Sequence, residues 1–338
     1  MKKKITFTTI IQQLKFDLIG KDSQRGITLT YGWLANQFGH FALGFIPTQL
    51  FYLVYTHQVP VAHPLLWAPL TTMLIWTSFE AYNFLSPLCK PAHTNPFKPD
   101  WINVGFDTVS DVLFFYTGAI FGILLYSFAP AYCVVALILF CITIILFAYW
   151  YPIKMYTQYA YFPFQRRLSQ WNFPISQQNI ERINQLISET TPKHILLLGK
   201  HNSGKTALAV SIGTEKTIQK NTCFYTTCIK FLGLLETSDE DFCKKMNMPW
   251  SWRETEYLII DDINSDVTDA ALPEIISPEY ISRIIAQSAF KQRNIEVLKT
   301  TTIVWVVGKE EYKQEWINFI QSYGVSHNDI ICIELAMC

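Results

Sequence analysis

Residues 194–206 read HILLLGKHNSGKT, an aliphatic run that meets the pattern G-x-x-x-x-G-K-[ST] at every fixed position: Gly199, Gly204, Lys205 and Thr206. The run before the pattern has the character of a buried strand and residues 207–212 that of a helix, the context such a loop requires. Glycines at 199 and 204 permit a tight backbone that aims N–H groups at phosphate oxygens, and the following helix N-terminus adds the positive end of its dipole. The candidate nucleotide site is therefore Gly199, Lys200, His201, Asn202, Ser203, Gly204, Lys205 and Thr206. Lys205 is the group to reach the β and γ phosphates, and the Thr206 hydroxyl the group to ligate Mg2+.

A second buried strand, EYLII at 256–260, ends in two acids, Asp261 and Asp262. An acid at the end of this strand can hold Mg2+, and its neighbour can orient and deprotonate an attacking water, so Asp261 is assigned to the metal and Asp262 to the water. The competing reading of the pair is a helix cap. Further strand patterns near 222–227, 301–307 and 329–335 alternate with helical ones near 228–236, 279–291 and 310–322. This predicts an α/β phosphate-loop NTPase domain, a three-layer sandwich with a mostly parallel five-stranded sheet.

Outward from this half the solvent preference changes. Half of the 338 residues are apolar and 16% are charged, well below the roughly 25% of soluble domains, while 15% aromatic residues exclude a disordered chain. Residues 1–160 hold nine Lys/Arg and six Asp/Glu, the remainder eighteen and twenty-one. A net charge of zero is unlike the basic footprint of a dedicated nucleic-acid binder, so high affinity for DNA or RNA is not expected. The eight cysteines form no CxxC pair and no Cys/His spacing suited to zinc, and read as free thiols of a reducing compartment.

Four apolar stretches at 32–55, 64–85, 104–128 and 130–151 are each long enough to cross a bilayer, and the first does not read as a cleaved signal peptide. Lys and Arg cluster before the first, between the second and third, and after the fourth, which predicts a multi-pass α-helical membrane domain of four spans with both termini cytoplasmic. In a bacterium this would be the inner membrane. Polar residues in these stretches, His40, Glu80, Asp107 and Asp111, form a candidate intramembrane site for a proton or cation, or a structural polar cluster. The amphipathic stretch 5–18 suits either the inner membrane surface or packing on the soluble domain.

The expected organisation is an N-terminal cytoplasmic segment (1–31), the membrane domain (32–151), an aromatic and basic linker with a helix capped by Ser176 (152–190), and the NTPase domain (191–338). Over residues 170–338 the order of phosphate loop, CFYTTCIKFLGLL, YLIIDDIN and TTTIVWVVG resembles the AAA+ ATPases, nearest in texture to replication initiators and helicase loaders. The resemblance implies a polar sensor at the end of the fourth strand, where Val306, Val307 and Gly308 stand, followed by Lys309. It also implies a helical lid with a sensor arginine, and an arginine finger for which Arg283 and Arg293 are candidates. Without D-x-x-G or N-K-x-D motifs, ATP is expected rather than GTP. The functional expectation is a membrane-anchored, Mg2+-dependent ATPase coupled to an unidentified protein partner, or to further copies of itself, at the cytoplasmic face. The alternatives are a nucleotide-gated switch or scaffold with little turnover, and a nucleotide-regulated transporter using the membrane carboxylates.

Overall fold

The computed structural model describes every residue except 1–2, 20–25, 87–95, 190, 201, 264–275, 309–311 and 336–338. The chain divides into two compact units. A helical unit comprises Leu14–Ala92 and Pro99–Lys154, and a sheet unit comprises Met1–Gln13, His93–Lys98 and Met155–Cys338.

The helical elements are α1 (Phe7–Ile19), α2 (Leu29–Leu53), α3 (Pro64–Leu85), α4 (Trp101–Leu124) and α5 (Pro130–Tyr159). Thr28 caps α2 by accepting from the Tyr31 N–H, and Asp100 caps α4 through the N–H groups of Ile102 and Asn103. Small residues bring α2 and α4 together: a Cβ on Gly44 would lie 2.0 Å from the Phe115 carbonyl oxygen, and one on Gly118 equally close to that of Phe41. Such backbone approach lets the two helices pack at close range. A polar bond adds to it, from Gln49 Nε2 to the Gly122 carbonyl (2.7 Å), while Thr48 to Thr72 (3.0 Å) joins α2 to α3 and Thr117 with Thr143 (2.8 Å) joins α4 to α5. By contrast α5 is apolar around its circumference and turns most of its aliphatic side chains outward, with Leu137 63% and Ile145 67% exposed.

Of these helices α4 and α5 are long and apolar enough to cross a membrane. The expectation of four spans is thus supported in length at four places but in apolarity at two, because Gln, Asn, His, Thr and Glu side chains dilute α2 and α3. The basic residues Lys2, Lys21, Arg25 and Lys90, used for orientation, lie outside the described residues. Helix α5 also runs to Tyr159, past its expected end at 151 and through Pro152. Burial of Tyr151, Met155, Tyr156 and Tyr159 offsets the hydrogen bond that the proline removes.

In the sheet unit five strands, β1 (His194–Gly199), β2 (Cys223–Thr227), β3 (Tyr257–Ile263), β4 (Thr302–Val307) and β5 (Ile330–Leu335), pair in parallel in the order β2-β3-β4-β1-β5. Parallel strands covered on both faces read as unbroken apolar runs, as HILLL and TIVWVV do. On one face Ile195, Leu197, Ile259, Val304 and Val306 pack on α6 (Gln177–Ser188) and α7 (Lys205–Ile218). On the other Trp305 stacks among Phe231 of α8 (Cys228–Leu235) and Trp316 and Phe319 of α12 (Lys313–Ser322). Ser176 caps α6 as expected, accepting from the Asn179 N–H. The sequence reading passed over α9 (Asp239–Met246), and it merged α10 (Pro278–Gln287) with the start of α11 (Lys291–Thr300). The segment before α6 is strapped to α7 by Arg167, whose guanidinium donates twice to the Glu215 carboxylate at 2.9 and 3.1 Å.

His194 opens β1 wholly buried, with Nε2–H donating to the Leu298 carbonyl at 2.8 Å and Nδ1 accepting from the Trp305 indole at 3.0 Å. Burial holds its pKa down, to about 4. The folded state thus binds no proton at this ring between pH 6.5 and about 4, whereas the unfolded chain does, so stability falls as pH falls through that window. Urea unfolding of the full chain in detergent should weaken by about 1.4 kcal/mol per pH unit there, and His194→Asn should flatten that slope. For the helix pair, Gly44→Ala should cost about 1–3 kcal/mol in thermal unfolding. Gly39→Ala, where a Cβ would meet nothing within 4 Å, serves as the matched control and should leave stability unchanged.

Candidate nucleotide site

The loop between β1 and α7 sits at the carboxyl end of its strand. Gly204 takes φ 82°, a conformation costly for any residue with a Cβ, and a Cβ there would also lie 2.6 Å from the ring of Phe173. Asn202 adds a second left-handed turn at φ 62°, and the Ser203 N–H closes the loop on the Lys200 carbonyl at 3.3 Å. Lys205 folds back over the loop, its Nζ donating to the carbonyls of Gly199 and Lys200, each at 2.7 Å. Among the described residues the buried Ser203 hydroxyl finds no partner. A cradle closed to side chains at Gly204, a cation above it and an orphaned hydroxyl within fit a bound phosphate chain. His201 lies outside the described residues.

Across the sheet the acid pair marks an irregularity. Register between β3 and β4 shifts between Ile260 and Ile263, and Asp262, within that shift, has φ 56°. Bulges and left-handed non-glycine residues of this kind re-aim side chains and collect at functional sites. Asp261 is 1% exposed and saturated with donors: Oδ1 accepts from Thr206 Oγ1 at 3.2 Å and from the Asp262 N–H at 2.8 Å, Oδ2 from Tyr225 Oη at 2.7 Å. Asp262 is turned outward, and partial burial with the adjacent Asp261 charge raises its carboxyl pKa. The hydroxyl of Thr206 and the carboxylate of Asp261 thus converge, an all-oxygen pair of the kind that holds Mg2+ beside phosphates.

Tyr225 escaped the sequence reading, its only signal being a hydroxyl in the inward pattern of the strand CFYTT. Burial, and then its bond to Asp261, push its pKa up, so it remains a donor at any ordinary pH. Trp171 and Phe173, aromatics of the linker, carry no signal in the sequence of a place beside the loop. The Trp171 indole donates to the Gly204 carbonyl at 3.0 Å. At the end of β4, between β1 and β3, stand the buried Val306 and Val307, while Lys309 lies outside the described residues. Arg293 pairs with Asp239 and lines a pocket with Thr255, Glu256, Thr301 and Thr302, which adjoin or open β3 and β4, so it stands at the opposite end of the sheet from the loop. Arg283 lies over the Tyr280 ring at 5.0 Å.

In the helical unit the candidate polar residues are partly gathered. His40 Nδ1 stands 3.1 Å from Asp111 Oδ1, and that oxygen accepts a hydrogen bond from Gln37 Nε2 at 3.2 Å. Glu80 is buried within electrostatic reach of Asp111, His40 and Asp107, whereas Asp107 itself is exposed one turn before Asp111. Among the described residues no group of three or more His, Cys, Asp or Glu side chains is arranged to hold a metal.

Residues 151–277 match the family model of the IstB-like ATP binding protein. The match spans the linker, the phosphate loop, β2 and the acid pair, and leaves out the helical unit up to residue 150. No curated protein matches the chain. Loop, acid pair and family match agree: the segment 151–277 is similar to an ATP-binding phosphate-loop family of the AAA+ kind, to which replication initiators and helicase loaders belong.

Proposed function

We propose that this protein is a membrane-anchored, Mg2+-dependent ATPase that couples nucleotide binding or hydrolysis to a protein partner, or to further copies of itself, at the cytoplasmic membrane face. The observation that carries the reading is the convergence of Thr206 on Asp261, 3.2 Å apart, beside a glycine-shaped loop topped by Lys205. The N–H groups of residues 199–206 and the α7 N-terminus would bind the phosphate chain, with Lys205 exchanging its loop carbonyls for phosphate oxygens. Mg2+ when bound supplies charge neutralisation at the phosphates, and Thr206 and Asp261 are the residues to hold it. Tyr225 fixes the Asp261 carboxylate from behind. Asp262, exposed and with a raised pKa, is placed to accept a proton from the attacking water.

Anchoring rests on α5, whose aliphatic surface is mostly outward, and on α4 beside it in sequence. An exposed apolar face of this size on a single helix requires a cover, and lipid is the cover that asks nothing of its polar groups. On α1 the buried positions are Gln13 and Asp17, while Phe7, Ile11 and Leu18 stay exposed along one face, which supports the membrane-surface reading of that helix. The division into 1–31, 32–151, 152–190 and 191–338 is retained on the same grounds.

A second reading, a nucleotide-gated switch with little turnover, is favoured by Val306 and Val307 at the end of β4, where a polar group would otherwise sense the γ-phosphate. Turnover of Mg2+-ATP and Mg2+-GTP by the full chain in nanodiscs separates the two. An ATPase should lose nucleotide binding in Lys205→Ala and lose about 10²–10⁴-fold in turnover, with binding kept, in Asp262→Asn. Tight binding by the wild type with no turnover would select the switch. Tyr225→Phe should raise the Mg2+ concentration for half-maximal turnover by about tenfold or more and leave Mg2+-free nucleotide affinity unchanged, as magnesium titrations would show.

A further inference from the structure

One short stretch between α3 and α4 belongs to the sheet unit although the helices on both sides of it do not. Within it Phe97 is 3% exposed, while its neighbour Lys98 is exposed. The ring enters the same core as α6, α7 and β1 and meets the fully buried Trp171 edge to face, centroids 5.9 Å apart. Trp171 in turn does two things at the phosphate loop. Its indole N–H holds the Gly204 carbonyl at 3.0 Å, and its ring lies 5.5 Å from that of Phe173, the ring packed where a Cβ of Gly204 would be.

An aromatic side chain of this size contributes strongly through burial, and edge-to-face contact fixes its partner's tilt. The tilt of Trp171 decides whether its N–H reaches Gly204, and Gly204 is the residue whose left-handed turn starts α7. No core requirement calls for Phe97 to come from this place in the chain: α6, α7 and the linker already supply Ile183, Leu186, Leu208 and Leu168 to the cluster.

We infer that Phe97 is a positioning residue for the phosphate loop, acting through Trp171 on Gly204, and that the α3–α4 connection and the nucleotide site are thereby thermodynamically linked. This rests on the nucleotide-binding reading above. Linkage is reciprocal, so nucleotide must hold Phe97 in place as much as Phe97 favours nucleotide. The chain then carries nucleotide state directly to the segment that leads into α4, the helix bearing Asp107 and Asp111.

The test uses the full chain in nanodiscs, a fluorescent ATP analogue for affinity, and amide hydrogen exchange at Phe97 and Lys98 as the reporter on the connection. Phe97→Ala should raise the dissociation constant about fivefold or more, Trp171→Phe should do the same while keeping a ring in the core, and Phe97→Tyr should restore near wild-type affinity. Nucleotide should slow exchange at Phe97 and Lys98 in the wild type and not in Lys205→Ala. A control with comparable loss of stability on the other face, Phe231→Ala, should leave affinity unchanged. If Phe97→Ala binds like the wild type, or binds no worse than Phe231→Ala, or nucleotide leaves exchange at Phe97 and Lys98 unchanged, the inference is overturned. A wild-type chain that binds no nucleotide overturns the underlying reading instead, and the two failures are distinct.

Discussion

A carboxylate buried in an inner strand needs donors on both oxygens, and Asp261 obtains three from three directions. Thr206 comes from the helix after the phosphate loop, Tyr225 from the neighbouring strand, and the Asp262 N–H from the bulge itself. Leaving such a group short of donors costs several kcal/mol, so these bonds constrain where β2, β3 and α7 meet. The bulge at 261–262 and the left-handed φ of Asp262 are the local cost of turning one acid inward and the next outward. Loop geometry, strand order and acid placement thus depend on one another.

A second set of constraints acts on the loop from the other side. Gly204 admits no Cβ because Phe173 occupies the space, and its carbonyl is held by Trp171. The aromatic and basic linker is, in its second half, packed against the phosphate loop, strapped to α7 through Arg167 and Glu215. Composition alone does not place such a segment, since Trp and Tyr beside Arg suit a lipid headgroup layer and a protein core equally well.

The two units obey different rules. In the sheet unit apolar side chains are paired face to face across β-strands and helices, and the buried His194 has both ring nitrogens satisfied. In the helical unit α2 and α4 meet through glycines and backbone oxygens, threonines bond across helices, and α5 leaves its aliphatic surface outward. The mean charge content of the chain describes neither unit.

Much of this was written in the sequence. The phosphate loop was legible because its chemistry demands particular residues at fixed spacing, and the strands because a parallel sheet buried on both faces requires unbroken apolar runs. Helix limits set by caps, such as Ser176 before α6, were legible for the same local reason. What only the tertiary structure decided is non-local: that Tyr225 and Thr206 converge on Asp261, that Trp171 and Phe97 back the loop, and that Arg293 stands at the far end of the sheet. Those contacts join residues from about 30 to over 70 positions apart along the chain, and no local propensity carries information across such distances. They arise when burial of apolar surface forces distant side chains together and each buried polar atom must find a partner among whatever the fold has brought near.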